Sequence, residues 1–279
     1  MRLFLLLTFL VSVLHVSAQQ DTIFKANGDQ LFVHIKEVTE TSVKYVFPKE
    51  DALNTVNKSS IKKISYKSGR QDFFESQLSL LDITSCLDWN KVHLSNIETE
   101  ITGLRKVANL GAKAQGMTTW SSTVKLQDRA YDKIKMQAAM LGANMVYIIE
   151  QNTEEAVHGG RTGSAKLPGV TVSGSCYTSQ NKSGLNINNG EYQVGQVYKL
   201  GANDFNMYEL NGKDEVITVD DSNLLIENKH HKINIRVKCI RKLDQYSIIH
   251  ANEKEMVLSG VFSSKNGRKT YYNIFLKRR

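Results

Sequence analysis

Lys229, Lys232, Arg236, Lys238, Arg241 and Lys242 fall within fourteen residues that contain no Asp or Glu, and Lys265, Arg268, Lys269, Lys277, Arg278 and Arg279 do the same over the last fifteen. Such runs offer ammonium and guanidinium groups to an anion. On a strand, side chains two positions apart share a face, so Arg236 and Lys238 form a cationic strip. The ordinary reading is a solvated face. The sharper one is a surface of Lys232, Arg236, Lys238 and Arg241 that meets an anionic partner: an envelope component such as lipopolysaccharide, an acidic polysaccharide or a lipid surface. The whole-chain excess, 36 Lys plus Arg against 28 Asp plus Glu, gives +8, too mild and too spread out to imply nucleic acid.

Other chemistry finds less support. The three cysteines are too few for a disulfide scaffold. Cys86 and Cys176 are the pair that one bridge would join; closing a loop of roughly 90 residues, it would contribute about 4 kcal/mol in the chain-entropy model. Three small buried thiols are the alternative and the favoured reading. His230 and His231 are adjacent and on a strand would point to opposite faces, so they do not chelate one ion readily. His250 stands alone, and the short paired spacings of a structural zinc site are missing. His158 precedes Gly159-Gly160-Arg161-Thr162-Gly163-Ser164, which fits neither the P-loop nor the dinucleotide fingerprint. Glu154-Glu155 and Asp220-Asp221 read as turn residues, and Ser173-Gly174-Ser175 lies in strand-like sequence with no nucleophile elbow. No catalytic, cofactor-binding or metal-ligating residue is therefore assigned from the sequence.

The elements that would position these groups begin after an address. Arg2, the apolar run Leu3–Leu14 and the exit Val16-Ser17-Ala18 make a secretory signal peptide cleaved after Ala18. Twelve helical residues reach about 18 Å, short of a hydrocarbon core of about 30 Å. Removing Arg2 takes the net charge from +8 to +7. The expected location is extracytoplasmic, periplasmic or secreted, without a lipid anchor or a transmembrane helix.

Residues 19–75 read as a small β-meander. Asn27-Gly28-Asp29 is a hairpin signal. Leu31, Val33 and Ile35 alternate with Phe32, His34 and Lys36, Ser42–Phe47 repeat the pattern until Pro48, and Ile61, Ile64 and Tyr66 mark a further strand. Residues 88–178 hold the one clear helix: Ser122–Leu141 lack Gly and Pro, Leu126, Ala130, Ile134, Ala138 and Leu141 make one stripe, and Gly142 ends it. Leu141→Asp is expected to unfold this domain. Asn144–Ile149 reads as a buried strand. Residues 191–279 alternate in about six runs, Val194–Leu200, Glu215–Val219, Ile233–Ile240, Ser247–His250, Met256–Phe262 and Thr270–Leu276, with Asn211-Gly212 and Asn266-Gly267 as turns. The fold class is α+β, mostly β: an N-terminal β-meander, a central sheet with one packed helix, and a C-terminal antiparallel β-sandwich or barrel.

Two resemblances add to this. Asp21-Thr22-Ile23, Gly28-Asp29, Val38-Thr39-Glu40 and Ile61–Tyr66 followed by Gly69 resemble a short β-rich domain of secreted Bacteroidetes proteins, which implies lineage and compartment. The run Ala138–Val146, with Leu141-Gly142-Ala143-Asn144 at its centre, resembles the YbjQ-like domains and the signalling domain of RcsF envelope lipoproteins. Val107–Gly116 and Gly169–Tyr177 fit the family's flanking strands. That resemblance implies a helix feeding a sheet strand, and envelope sensing or self-assembly as a homo-oligomer. The family's heavy-metal label does not carry over, since no compact His/Cys cluster stands here. The expectation is an exported, non-enzymatic interaction or envelope-sensing protein with no cofactor and no nucleic-acid partner. The alternatives are an extracytoplasmic hydrolase with an inter-domain site and a metal-handling protein.

Overall fold

A computed structural model of the chain describes residues 20–25, 29–74, 80–158, 165–180, 185–212, 215–227 and 230–279. The leader, the Asn27-Gly28 turn and the Gly159–Ser164 loop lie outside the described residues. The chain divides into two compact units, 1–76 and 77–279.

In the first unit the alternating runs become β1 (Asp21–Lys25), β2 (Gln30–Val38), β3 (Ser42–Val46), β4 (Asn54–Asn57), β5 (Ile61–Ser65) and β6 (Gln71–Phe73). The sheet order is β4-β3-β2-β1-β5-β6. Only the 3-10 turn Lys58–Ser60 separates β4, at one edge, from β5, near the other. So short a link forces the sheet to curl, and a register slip between Ile35 and Glu37 bends β2 to match. The concave side buries Ile23, Val33, Val43, Ile61 and Ile64. Asp21, itself buried, staples the curl: its Oδ2 accepts the Ile35 N–H at 3.0 Å and its Oδ1 the Lys67 N–H at 2.8 Å.

The second unit begins with β7 (His93–Ser95), β8 (Arg105–Gln115), α1 (Thr123–Met140), β9 (Met145–Glu154) and β10 (Gly169–Thr178), in sheet order β7-β9-β10-β8. Because β10 runs antiparallel to both β8 and β9, those two are parallel and α1 is the crossover that parallel strands require. The expected stripe is buried at Leu126, Ala130, Ile134 and Ala138, with Leu141 half-buried. The helix ends at Gly142, whose φ of 66° suits glycine, and Ala143 N–H donates back to Ala138 O at 2.9 Å. Asn144 then enters fully buried and holds the chain from both sides. Its Nδ2 donates to Ser179 Oγ at 2.8 Å and Leu81 O at 3.2 Å, and its Oδ1 accepts the Ser179 N–H. Burial along β9 covers only its first residues; Ile149 is exposed.

The rest is one antiparallel sheet: β11 (Gly190–Leu200), β12 (Tyr208–Leu210), β13 (Val216–Val219), β14 (Leu224–Glu227), β15 (His230–Asn234), β16 (Gln245–Ala251), β17 (Glu255–Ser263) and β18 (Lys269–Arg278). Its order is β12-β11-β18-β17-β16-β15-β14, with β13 also beside β11. It holds eight strands where about six were legible, and it is curled without closing into a barrel. Asn266-Gly267 is the expected turn, with Gly267 at φ 75°. Asn211-Gly212 is not a hairpin, because β12 and β13 both pair with β11. The Ile233–Ile240 run stops as a strand at Asn234, since a Val237–Ile240 bridge turns the chain back.

One face of this sheet wraps a core of Tyr192, Val197, Ile233, Tyr246, Leu258 and Ile274. Across β18 the other face, with Tyr271 and Phe275, joins the core that contains α1. Lys133, Met136, Gln137 and Met140 are buried beyond the expected stripe: Gln137 Nε2 donates to Gly111 O on β8, Lys133 reaches Ala202 O, and Asn273 of β18 bonds Met140 O. Residues 88–178 and 191–279 thus share the core around α1, beside the separate core that the C-terminal sheet wraps. Among the described residues no helix is long and apolar enough to cross a membrane.

Candidate anion-binding surface

Along β15 the side chains divide by parity. Ile233, Ile235 and Val237 go into the core, while Asn234, Arg236 and Lys238 are exposed. The alternation outlasts the strand because Ile235 N–H still bonds Asp244 O at 2.9 Å. The turn closed by Ile240 N–H donating to Val237 O at 2.8 Å then returns Arg241 and Lys242 alongside Arg236 and Lys238. These four cations line one open cavity of about 920 Å³ with two acids, Glu215 and Asp244.

The acids do not neutralise the cations. Glu215 Oε2 accepts the Lys238 backbone N–H at 2.9 Å. Among the described residues none of the four cationic side chains has a carboxylate oxygen within 4.0 Å. Lys242 Nζ lies 4.9 Å from the centre of the Phe262 ring, a cation–π contact that leaves its charge available. The mouth can therefore hold a negatively charged group by charge and by Arg-type forked hydrogen bonds.

Of the expected surface residues, Arg236, Lys238 and Arg241 come together. Lys232 lies apart, lining the next cavity but one and ion-paired to Glu227. Lys242 was in the same acid-free run and completes the mouth; Glu215 and Asp244 arrive from elsewhere in the fold, and sequence spacing carried no signal for them. Three of the C-terminal cations have other work: Arg279 pairs with Glu191 at 3.7 Å, Arg278 Nη2 donates to Asn189 O and Lys269 Nζ to Asn109 O.

The remaining groups fall into structural places. Cys86 and Cys176 are buried in the same core, and all three cysteines carry free thiols. Burial pushes Cys86 and Cys176 up to about 12, which makes them poor nucleophiles. His230 and His231 pair across the hairpin with Glu227 and Ile226. Asp220 Oδ1 caps its own turn by accepting the Ser222 and Asn223 N–H groups, and the hydrogen bond from the Ser222 hydroxyl lowers its pKa. Glu154 faces Lys166 at 3.5 Å. No group of three or more His, Cys, Asp or Glu that could hold a metal occurs among the described residues.

Compared with protein-family models, curated proteins and solved structures, the chain finds no match.

Proposed function

We propose that this chain is an exported, non-enzymatic interaction protein that holds an anionic partner at the Arg236–Lys238–Arg241–Lys242 mouth. The observation that carries this reading is four cationic side chains around one cavity, none of them ion-paired among the described residues. Mutual repulsion makes such a cluster costly to keep without a purpose, and an arriving anion relieves it.

The apolar leader that ends at Ala18 supports export and, with it, a partner among envelope or extracellular components. The resemblance of Leu141-Gly142-Ala143-Asn144 to the YbjQ-like helix end supports an envelope-sensing or self-associating scaffold. The residues of that motif are engaged in the scaffold itself, Gly142 as helix cap and Asn144 as clamp, which leaves recognition to the C-terminal sheet. The N-terminal unit fits the Bacteroidetes-type β domain as a supporting module.

The test is calorimetric titration of the 19–279 protein with trigalacturonate at low and high KCl. Binding at low salt that weakens as KCl rises, and that is lost in Arg236→Gln/Lys238→Gln, supports the proposal. No binding, or binding indifferent to both salt and substitution, removes it. Light scattering on the same sample reads the oligomeric state, and N-terminal sequencing of secreted protein should begin at Gln19.

A further inference from the structure

We infer that the mouth is one end of a longer track that binds a linear acidic polysaccharide along β15, an inference that rests on the anion-binding reading of the mouth. Three cavities follow one another through shared lining residues. The mouth shares Arg236 and Asp244 with a cavity of about 590 Å³, which also reaches Asn234 and Gln245. That cavity shares Gln245 with a third of about 330 Å³, lined by Arg105, His230, Lys232 and Ser247.

Strand geometry explains the line. Residues 230, 232 and 234 share one face of β15, opposite to the buried Ile233, and repeat in steps of about 7 Å; beyond the strand Arg236 and Lys238 stay exposed while Ile235 and Val237 stay buried. The order is imidazole, ammonium, amide, guanidinium, ammonium. Asn234 pairs with Gln245 and Lys232 with Ser247 across the ladder, which puts amides and a hydroxyl between the charged ends. Gln245 Nε2 donates to Asn234 Oδ1 at 3.1 Å; Asn234 Nδ2 and Gln245 Oε1 make no other hydrogen bond among the described residues. At the far end Arg105 Nη1 lies 2.5 Å from His230 Nε2, and Lys232 shares its charge with Glu227.

This sequence of groups matches a chain whose acids alternate with hydroxyl-bearing stretches. A single small anion would use one end only, whereas a polymer gains from both at once. Single-stranded nucleic acid binds by stacking bases on exposed aromatic rings; the aromatic ring in the lining, Tyr246, is buried.

The experiment titrates the 19–279 protein with oligogalacturonates of increasing length and with oligo-dT. Affinity should rise with length and then level off. Lys232→Gln should lower affinity about tenfold for long oligomers and leave the shortest unchanged, while Arg236→Gln/Lys238→Gln weakens both. Asn234→Leu, which blocks the middle without changing charge, should also remove the length dependence. Thermal melts of each variant confirm folding. Equal affinity for all lengths overturns the track and leaves the mouth intact; failure of every anionic probe overturns both. Oligo-dT binding tighter than oligogalacturonate through the same residues overturns the polysaccharide assignment.

Discussion

Asn273 Nδ2 donates to the carbonyl of Met140 across 2.8 Å, joining β18 to the last turn of α1 at a position with no solvent exposure. Its Oδ1 accepts the Cys86 N–H at 2.8 Å, so one amide satisfies two backbone groups from distant stretches. Removing it leaves both buried and unpaired, at about 1–3 kcal/mol each. Asn273→Ala should therefore lower the stability of residues 77–279 by about 3 kcal/mol or more in urea unfolding followed by circular dichroism. Those residues should unfold in a single transition; separate transitions for 88–178 and 191–279 would contradict a shared core.

Lys133 is buried on α1, with Nζ donating to Ala202 O and lying 5.8 Å from the Phe205 ring. Burial lowers its pKa, and Asp204 pulls the other way. A lysine whose folded pKa lies below its unfolded one opposes folding at neutral pH, and the opposition fades as pH rises through the folded value toward the ordinary 10.5. Lys133→Met should raise Tm at neutral pH, and the gain should shrink as pH approaches 10.5. A constant gain at all pH values would mean that packing, not charge, decides it.

Gly174 marks a close approach. A Cβ there would stand 2.3 Å from Tyr147 O, at the register slip between Ser173 and Gly174. Backbone cannot give way cheaply, so Gly174→Ala should destabilise by about 1–3 kcal/mol, as overpacking does. Gly267→Ala, at φ 75° with open space around the added Cβ, has only the positive φ to contend with and should cost about 1–2 kcal/mol. The order of the two, read from denaturation midpoints, checks the account.

Cys86 and Cys176, pushed up to about 12 by burial, should resist iodoacetamide in the native protein at mildly alkaline pH and react on unfolding. Cys239, half-exposed, should react first. Intact-mass measurement of alkylated, unreduced protein reads the pairing directly. Three carbamidomethyl groups support free thiols, and one, with two hydrogens missing, supports a Cys86–Cys176 bridge.

Local pattern made much of this fold legible. Alternation located β2, β3, β11, β17 and β18, and four-residue spacing located α1 to within a residue at each end. Gly142 was readable because a left-handed cap needs glycine. Short pieces such as β7, β12 and β14, of three or four residues, carry too few side chains for a period. The shared core escaped because Asn273 and Met140 are 133 positions apart, and no window spans that. For the surface, Lys232, Arg236, Lys238 and Arg241 were visible as an acid-free run, whereas strand pairing brings Asp244 and Gln245 to them and side-chain and backbone contacts bring Arg105 and Glu215.

The mouth is read here as a site that binds through charge. The most direct measurement is the slope of log affinity against log KCl for trigalacturonate, compared between the native sequence and Arg236→Gln/Lys238→Gln. A mouth that binds through charge gives a negative slope that becomes shallower in the double variant, because fewer ions are displaced on binding. Equal slopes, or binding that strengthens with salt, would contradict it.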